Sequence, residues 1–249
     1  MGSYEFLAGC YDELTYDVGY SAWADYIEAH FRKRGLPGKT VLDLACGTGS
    51  LTRELAQRGY EMIGVDRSPE MLSEAAEKNR DAGEVPPIFL CQSMDKLDLY
   101  GTIDACVCCL DSVNYITRPQ RLRRAFAQVY RNLKPGGLFL FDAKTPLALE
   151  EADGQTYLDE DESLMCVWRA DYEPRRRICG YGIDLFTLRP DGAWNRESEY
   201  HEEYAYTPQE LTDFLTQAGF SSIKQYSNLK MCPPKEEDRR IFFAARKEQ

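Results

Sequence analysis

The residues with the clearest capacity for chemistry lie in one short stretch and one acid beyond it. Val41-Leu42-Asp43-Leu44-Ala45-Cys46-Gly47-Thr48-Gly49 runs an apolar strand into a glycine turn, and seventeen residues past Gly49 a second apolar run ends at Asp66. Glycine puts no Cβ between backbone and ligand, so a bound group can touch the main chain directly. The helix that follows offers free N–H groups to an anionic group. A carboxylate ending the next strand can accept both hydroxyls of a ribose. Together these are the parts of a nucleoside site. They do not complete the dinucleotide fingerprint, because its last glycine position falls on Thr52, and an acid at Asp43 is unusual for a simple NAD site. A nicotinamide-dependent dehydrogenase is therefore disfavoured.

Positioning such residues takes a parallel sheet. Residues 40–45 read as a buried strand, 51–58 as a helix closed by Gly59, and 62–65 as a second strand. Ser68 caps the next helix with Pro69 at its first position. Residues 88–90 and 103–110 read as strands three and four. Over 119–133, Leu122, Phe126, Val129, Tyr130 and Leu133 make the stripe of an amphipathic helix, which Lys134-Pro135-Gly136-Gly137 breaks before a fifth strand at 138–141. Alternation at this spacing predicts a parallel sheet covered on both faces.

Beyond Asp142 the pattern changes to antiparallel strands over 163–206, with Pro190-Asp191-Gly192 as a turn and Tyr200, Tyr204 and Tyr206 on one face. Thr207-Pro208-Gln209-Glu210 has the form of a capping box, opening a helix that buries Leu211, Phe214, Leu215 and Ala218. Strands near Ile223 and at 241–245 bring the main sheet to seven. The expected organisation is a helical cap at 1–36, rich in Tyr11, Tyr16, Tyr20, Trp23 and Tyr26. An α/β domain at 37–148 and 207–249 follows, with an antiparallel β insertion at 149–206 that is either a lid on the acceptor side or a dimer surface.

Forty-one acidic against thirty basic side chains give a net charge of −11, which argues against a broad electrostatic grip on nucleic acid. Arg121-Leu122-Arg123-Arg124 and Arg175-Arg176-Arg177 read as solvated charge. The nine cysteines are odd in number, and several sit in apolar strand-like runs, the usage of a reduced cytoplasmic protein. With His30 and His201 the only histidines, no metal site is expected. No apolar run reaches membrane-spanning length, and the first residues lack the pattern of a secretory signal. Gly2 stands where a myristoylated glycine would, in a context that does not favour it.

Asp43-Leu44-Ala45-Cys46-Gly47-Thr48-Gly49 resembles motif I of the class I S-adenosylmethionine-dependent methyltransferases. Gly64-Val65-Asp66-Arg67-Ser68-Pro69-Glu70-Met71-Leu72 and Leu133-Lys134-Pro135-Gly136-Gly137 extend the resemblance over about 38–145 and, more loosely, the whole chain. It implies a Rossmann-like fold, S-adenosylmethionine as cofactor and S-adenosylhomocysteine as product. By the same resemblance Ala45, Cys46 and Gly47 approach the methionine part and Asp43 orients its amino group or a water. Asp66 holds the ribose hydroxyls and Arg67 flanks the adenine. Gly49, Met71, Ser93, Met94, Leu110 and Asp111 complete the surroundings, Ser93 standing where many relatives carry an aspartate.

Leu110-Asp111-Ser112-Val113-Asn114-Tyr115 lacks the Asn-Pro-Pro-aromatic signature of adenine N6 and glutamine methylation, and no Pro-Cys pair is present for a cytosine C5 mechanism. The block is similar to bacterial small-molecule methyltransferases related to the glycine and sarcosine N-methyltransferases. That likeness implies that Tyr11, Tyr20 and Trp23 close over the cofactor; packing of an amphipathic helix on the sheet is the alternative. Methyl transfer from a sulfonium needs alignment and dry, preorganised polarity, and a base only where the acceptor must lose a proton. Tyr11, Asp111 and His201 are the candidate proton acceptors, although His201, on a strand with Glu199 and Glu203 on its face, also reads as a surface ion partner. The expected acceptor is an N or O atom of a small molecule, and the expected assembly a monomer or homodimer. An RNA or protein methyltransferase, and a regulator that binds the cofactor without turnover, are the alternatives.

Overall fold

The computed structural model describes residues 4, 6–36 and 38–248, so Gly2 lies outside the described residues. Its main sheet joins β1 (Thr40–Leu44), β2 (Glu61–Asp66), β3 (Ile88–Cys91), β4 (Ile103–Cys108), β5 (Leu133–Lys144), β10 (Ser221–Ser227) and β11 (Arg240–Arg246) in the order β10-β11-β5-β4-β1-β2-β3. All neighbours are parallel except β11, which runs antiparallel to both β5 and β10. The strands alternate cleanly between two cores. Leu42, Cys106, Phe139 and Phe243 face the helices α5 (Pro119–Asn132) and α7 (Pro208–Ala218). Val41, Val107, Leu140 and Phe242 face α2 (Tyr20–Arg34) and α3 (Ser50–Gln57). This is the doubly wound, mostly parallel Rossmann-like sheet that the alternating elements predict.

Local chemistry sets the boundaries. The Ser68 hydroxyl accepts from the Met71 N–H, with Pro69 opening α4 (Pro69–Lys78). Thr207 and Glu210 form a complete capping box on α7. The expected break at Lys134–Gly137 is a bulge inside one long β5: Leu133 pairs with Ile103, the register shifts, and pairing resumes at Leu138 with Ala105. Gly136, at φ +80°, turns its N–H to Lys247 instead of the ladder.

The second sheet is a four-stranded antiparallel meander, β6 (Thr156–Glu160), β7 (Leu164–Glu173), β8 (Ile178–Leu188) and β9 (Trp194–Tyr204). β6 and the short α6 (Pro146–Glu151) have no counterpart in the sequence reading, because neither buries an apolar stripe long enough to register. The described residues among the first 36 serve two cores. Leu7 is packed with the meander, α2 with the main sheet, and the single turn α1 (Tyr11–Leu14) buries no residue between them.

Among the described residues no helix is long and apolar enough to cross a membrane. Arg121 and Arg124 both pair with Asp95, while Arg176 pairs with Glu202 and Arg177 with Glu210. The two basic clusters thus neutralise local carboxylates. Thermal or denaturant unfolding should place Thr207→Ala about 1 kcal/mol below wild type from the lost cap. Phe126→Ala, from the centre of the α5 core, should fall about 3–5 kcal/mol below.

Candidate functional site

At the carboxyl ends of β1, β2 and β4 the strands open onto a cavity of about 490 Å3. Its floor is the glycine turn. Ala45 sits at φ +61° and Gly47 at φ +54°, and a Cβ built on Gly47 meets nothing within 4 Å. The backbone is therefore exposed to whatever fills the cavity. The Asp66 carboxylate ties the turn to the next helix, accepting from the Gly47 N–H at 3.0 Å and the Ser68 N–H at 2.9 Å. Asp43, deep in β1, accepts from the Thr52 hydroxyl at 2.6 Å. Burial pushes its carboxyl up to about 6, against the Thr52 hydrogen bond.

The cap is latched over this turn. Asp12 accepts from the Thr48 hydroxyl at 2.6 Å and the Ser50 hydroxyl at 3.1 Å, and pairs with Lys78. Partial burial would raise its carboxyl, but Lys78 and Thr48 hold it below the usual range. Tyr4, Tyr11 and Tyr20 reach the cavity from above.

A second cavity of about 960 Å3 lies between the cap, the meander and the loop before β11. Tyr4, Tyr11, Leu110 and Tyr115 line both cavities, so these four residues form the partition. The partition is strained: Leu110 and Asp111 stand consecutively at φ +59° and +51°, a region L residues rarely enter. Its floor is a buried charge network. Asp111 bonds Arg240 at 2.6 Å and Lys144 at 3.1 Å, and its N–H donates to Asp142 at 2.9 Å. Arg240 also pairs with Asp142, and Lys144 donates to both oxygens of Glu203 at 2.9 and 3.1 Å. Burial alone would raise the Asp111 carboxyl, yet Lys144 and Arg240 hold it well below its ordinary value. Burial raises Glu203 to about 7, with Lys144 opposing and Asp111 adding to the rise.

Most residues expected around the cofactor converge on the first cavity: Tyr20, Asp43, Ala45, Cys46, Gly47, Asp66, Arg67, Met71, Ser93, Met94 and Leu110, with Tyr11 beside them. Four others lie elsewhere. Trp23 falls on the buried stripe of α2, 5.2 Å from the Phe242 ring and under the Arg240 guanidinium, because its helical spacing to Ile27 points it at the sheet. Gly49, at φ +74°, packs instead: a Cβ there would stand 2.9 Å from Asn79 and 3.2 Å from Ala75. Asp111 opens onto the second cavity alone. His201 is no surface ion partner. It is 0% exposed, its Nε2 lies 2.8 Å from Glu199, and it lines neither cavity. The strand face carrying Glu199, His201 and Glu203 is the inward one, held by hydrogen bonds and by the Tyr4, Tyr115 and Trp168 rings around His201, which inverts the usual reading of charge as exposure. Glu199 accepts from the N–H groups of Tyr4, Phe6 and Leu7 at 2.7, 2.5 and 3.1 Å.

A methyltransferase domain model matches residues 41–137. The YqeM protein of Bacillus subtilis (strain 168), itself assigned to the methyltransferases, is 32% identical over 246 residues, 98% of this chain and 97% of that one. The chain belongs to the class I S-adenosylmethionine-dependent methyltransferases. A glycine/sarcosine N-methyltransferase of Halorhodospira halochloris is 27% identical over 53% of this methyltransferase and 49% of that protein. The crystal structure of an S-adenosylmethionine-dependent methyltransferase from Clostridium acetobutylicum ATCC 824 superposes with a TM-score of 0.88 at 29% identity, covering 100% of both chains. The cofactor is S-adenosylmethionine. The cavity suits it: its volume lies within the roughly 300–1,000 Å3 of small-molecule sites, Gly47 leaves backbone open, and the Asp43 and Asp66 carboxylates line it.

Sequence reasoning missed Tyr4, Tyr115, Lys144, Glu203 and Arg240. Lys144 did carry a signal, a charge ending an apolar strand, as Asp66 does. Arg240 carries the same signal reversed, because β11 is antiparallel and its first residue faces the site. The two turn glycines separate binding from folding. Gly47→Ala should cost about 1 kcal/mol of stability for its positive φ but weaken S-adenosylhomocysteine binding at least tenfold in calorimetry. Gly49→Ala should show the reverse, a larger loss of stability than of affinity per folded molecule.

Proposed function

We propose that this methyltransferase acts on an N or O atom of a small molecule held in the second cavity. The observation that carries the reading is the partition: a chamber roofed by the meander meets the cofactor cavity across four shared residues. An acceptor on RNA would want an open basic groove, and the net charge of −11 and the neutralised arginines oppose one.

In this reading Asp66 takes the ribose hydroxyls and Asp43 the amino group, with Met71 and Met94 against the adenine side. The bound cofactor supplies a methyl group on a sulfonium, ready for displacement. Tyr4, Tyr11 and Tyr115 exclude water from the junction and align the acceptor, the main requirement of a direct displacement. Burial raises all three phenols, and the Tyr4 hydroxyl donates to Tyr115 at 2.8 Å. They stay protonated near neutrality and act as hydrogen-bond partners rather than bases. Asp111, ionised between two cations, is likewise a weak base.

Label from methyl-tritiated S-adenosylmethionine should enter the small-molecule fraction of a bacterial extract. Label in tRNA or protein would support the macromolecular alternative, and no label in any fraction a regulator without turnover. Asp66→Ala should weaken S-adenosylhomocysteine binding about a hundredfold, two charge-assisted hydrogen bonds being lost. Affinity should also fall with acidity. A ligand ammonium favours ionised Asp43, whose raised carboxyl is protonated below about pH 6, so binding weakens below that value by up to about tenfold per pH unit. In Asp43→Asn this acid limb should vanish.

A further inference from the structure

We infer that the second cavity receives an acceptor bearing an amino group, and that the Glu203 carboxylate fixes this nitrogen and takes its proton. The inference rests on the small-molecule reading above and names its substrate class.

The charge balance points first. Three buried carboxylates, Asp111, Asp142 and Glu203, stand against two cations, Lys144 and Arg240. With all five ionised, the network has one negative charge in excess where water is scarce, and an entering ammonium balances it. An acidic head group finds no such welcome. The cations lining the cavity are Lys144, Arg239 and Arg240, and each is already paired, Arg239 with Glu151 at 2.6 Å. Binding a carboxylate would break one of these pairs.

Glu203 is also the acid of the three that both lines the chamber and is paired with a single cation. Asp111 bridges both cations, and Asp142 takes Arg240 together with a backbone N–H. Glu203 has Lys144 as its cation, with the Asp111 carboxyl beside it, and it lines the chamber. Beside it, Lys144 already lies 5.2 Å from the Tyr181 ring centre, so this wall accommodates a cation on an aromatic face. Trp168 continues that wall.

Asp111 and Glu203 are the network carboxyls that line the chamber, and of these two Glu203 is the one raised toward neutrality. Asp111 is held ionised and Lys144 protonated; Tyr4, Tyr115 and Tyr181 are pushed up by burial, as is the Cys179 thiol. His201, two residues along the same face, is engaged by Glu199. Glu203, raised to about 7, has the poise of a general base. An acceptor arriving as ammonium gives one proton to Glu203 and so frees its lone pair. That pair forms the new C–N bond as the C–S bond breaks, whose electrons remain on sulfur as S-adenosylhomocysteine. The product leaves as a methylammonium ion and Glu203 returns its proton to water.

The test uses matched amine, alcohol and carboxylate ligands on phenethyl, indolylethyl and cyclohexylethyl scaffolds. Binding to protein saturated with S-adenosylhomocysteine is followed by saturation-transfer NMR in wild type, Glu203→Gln and Glu203→Asp. Amines should bind about tenfold or more tighter than their alcohols, the scale of one charge-assisted hydrogen bond. Glu203→Gln should lose that preference and Glu203→Asp keep it, with S-adenosylhomocysteine affinity unchanged in both. Equal binding of the three head groups, a preference for carboxylates, no amine binding, or a preference surviving in Glu203→Gln overturns the inference. The wild-type comparison can do so by itself should a variant fail to fold. Failure of wild type to bind S-adenosylhomocysteine would instead bring down the reading beneath it.

Discussion

The molecule is organised around five charges that have been taken out of water together. Asp111 follows β4, Asp142 and Lys144 end β5, Arg240 opens β11, and Glu203 comes from the meander. Burying any one of them unpaired would cost several kcal/mol, so the network exists only if all four segments arrive in register. Asn114 enforces that register: its amide donates to the carbonyls of Lys144 and Tyr204 and accepts from the Lys144 N–H. The left-handed pair at Leu110 and Asp111 is the local cost of turning the Asp111 carboxylate inward.

From this constraint follows the relation of the two sheets. The meander is joined to the main sheet through Lys144–Glu203 and the Asn114 clasp, with its own apolar core closed by Leu7, Leu149 and Ala152. The N-terminal segment spans the gap. Glu199 grips its backbone at Tyr4–Leu7 on the meander side, and Asp12 grips Thr48, Ser50 and Lys78 on the glycine-turn side. Between these anchors Tyr4 and Tyr11 form half of the partition. The wall between the two cavities is therefore held by polar contacts at both ends, while α1, which carries Asp12, buries nothing itself.

What could be read in the sequence follows from the same physics. Glycine turns, strand-ending acids and caps are local, so Gly47, Asp66, Ser68 and the Thr207–Glu210 box declare themselves without tertiary knowledge. The seven-stranded sheet came through because its central strands, β1, β4, β5 and β11, are buried on both faces and read as mostly apolar runs. The acceptor side did not, because its inward face is polar. In β9 the buried residues are Glu199, His201 and Glu203, and the exposed one between them is Tyr200, the opposite of what alternation teaches. Trp23 was left with two readings for a related reason: an aromatic near a site is as readily a core residue, and it packs on Phe242.

The separation of neutral from charged groups around the partition has its own logic. Displacement at a sulfonium moves positive charge away from the donor and onto the acceptor as the new bond forms. Fixed negative charge near the donor sulfur would hold the charge where it starts, and Tyr4, Tyr11, Leu110 and Tyr115 present none. On the far side the Asp111 carboxylate, ionised between Lys144 and Arg240, faces the second cavity. Such preorganised polarity requires no reorganisation, because Asp111 is already clamped by Lys144 and Arg240 before any ligand enters. The network that fixes the two sheets in register is thus also the one that meets the second cavity beside the partition.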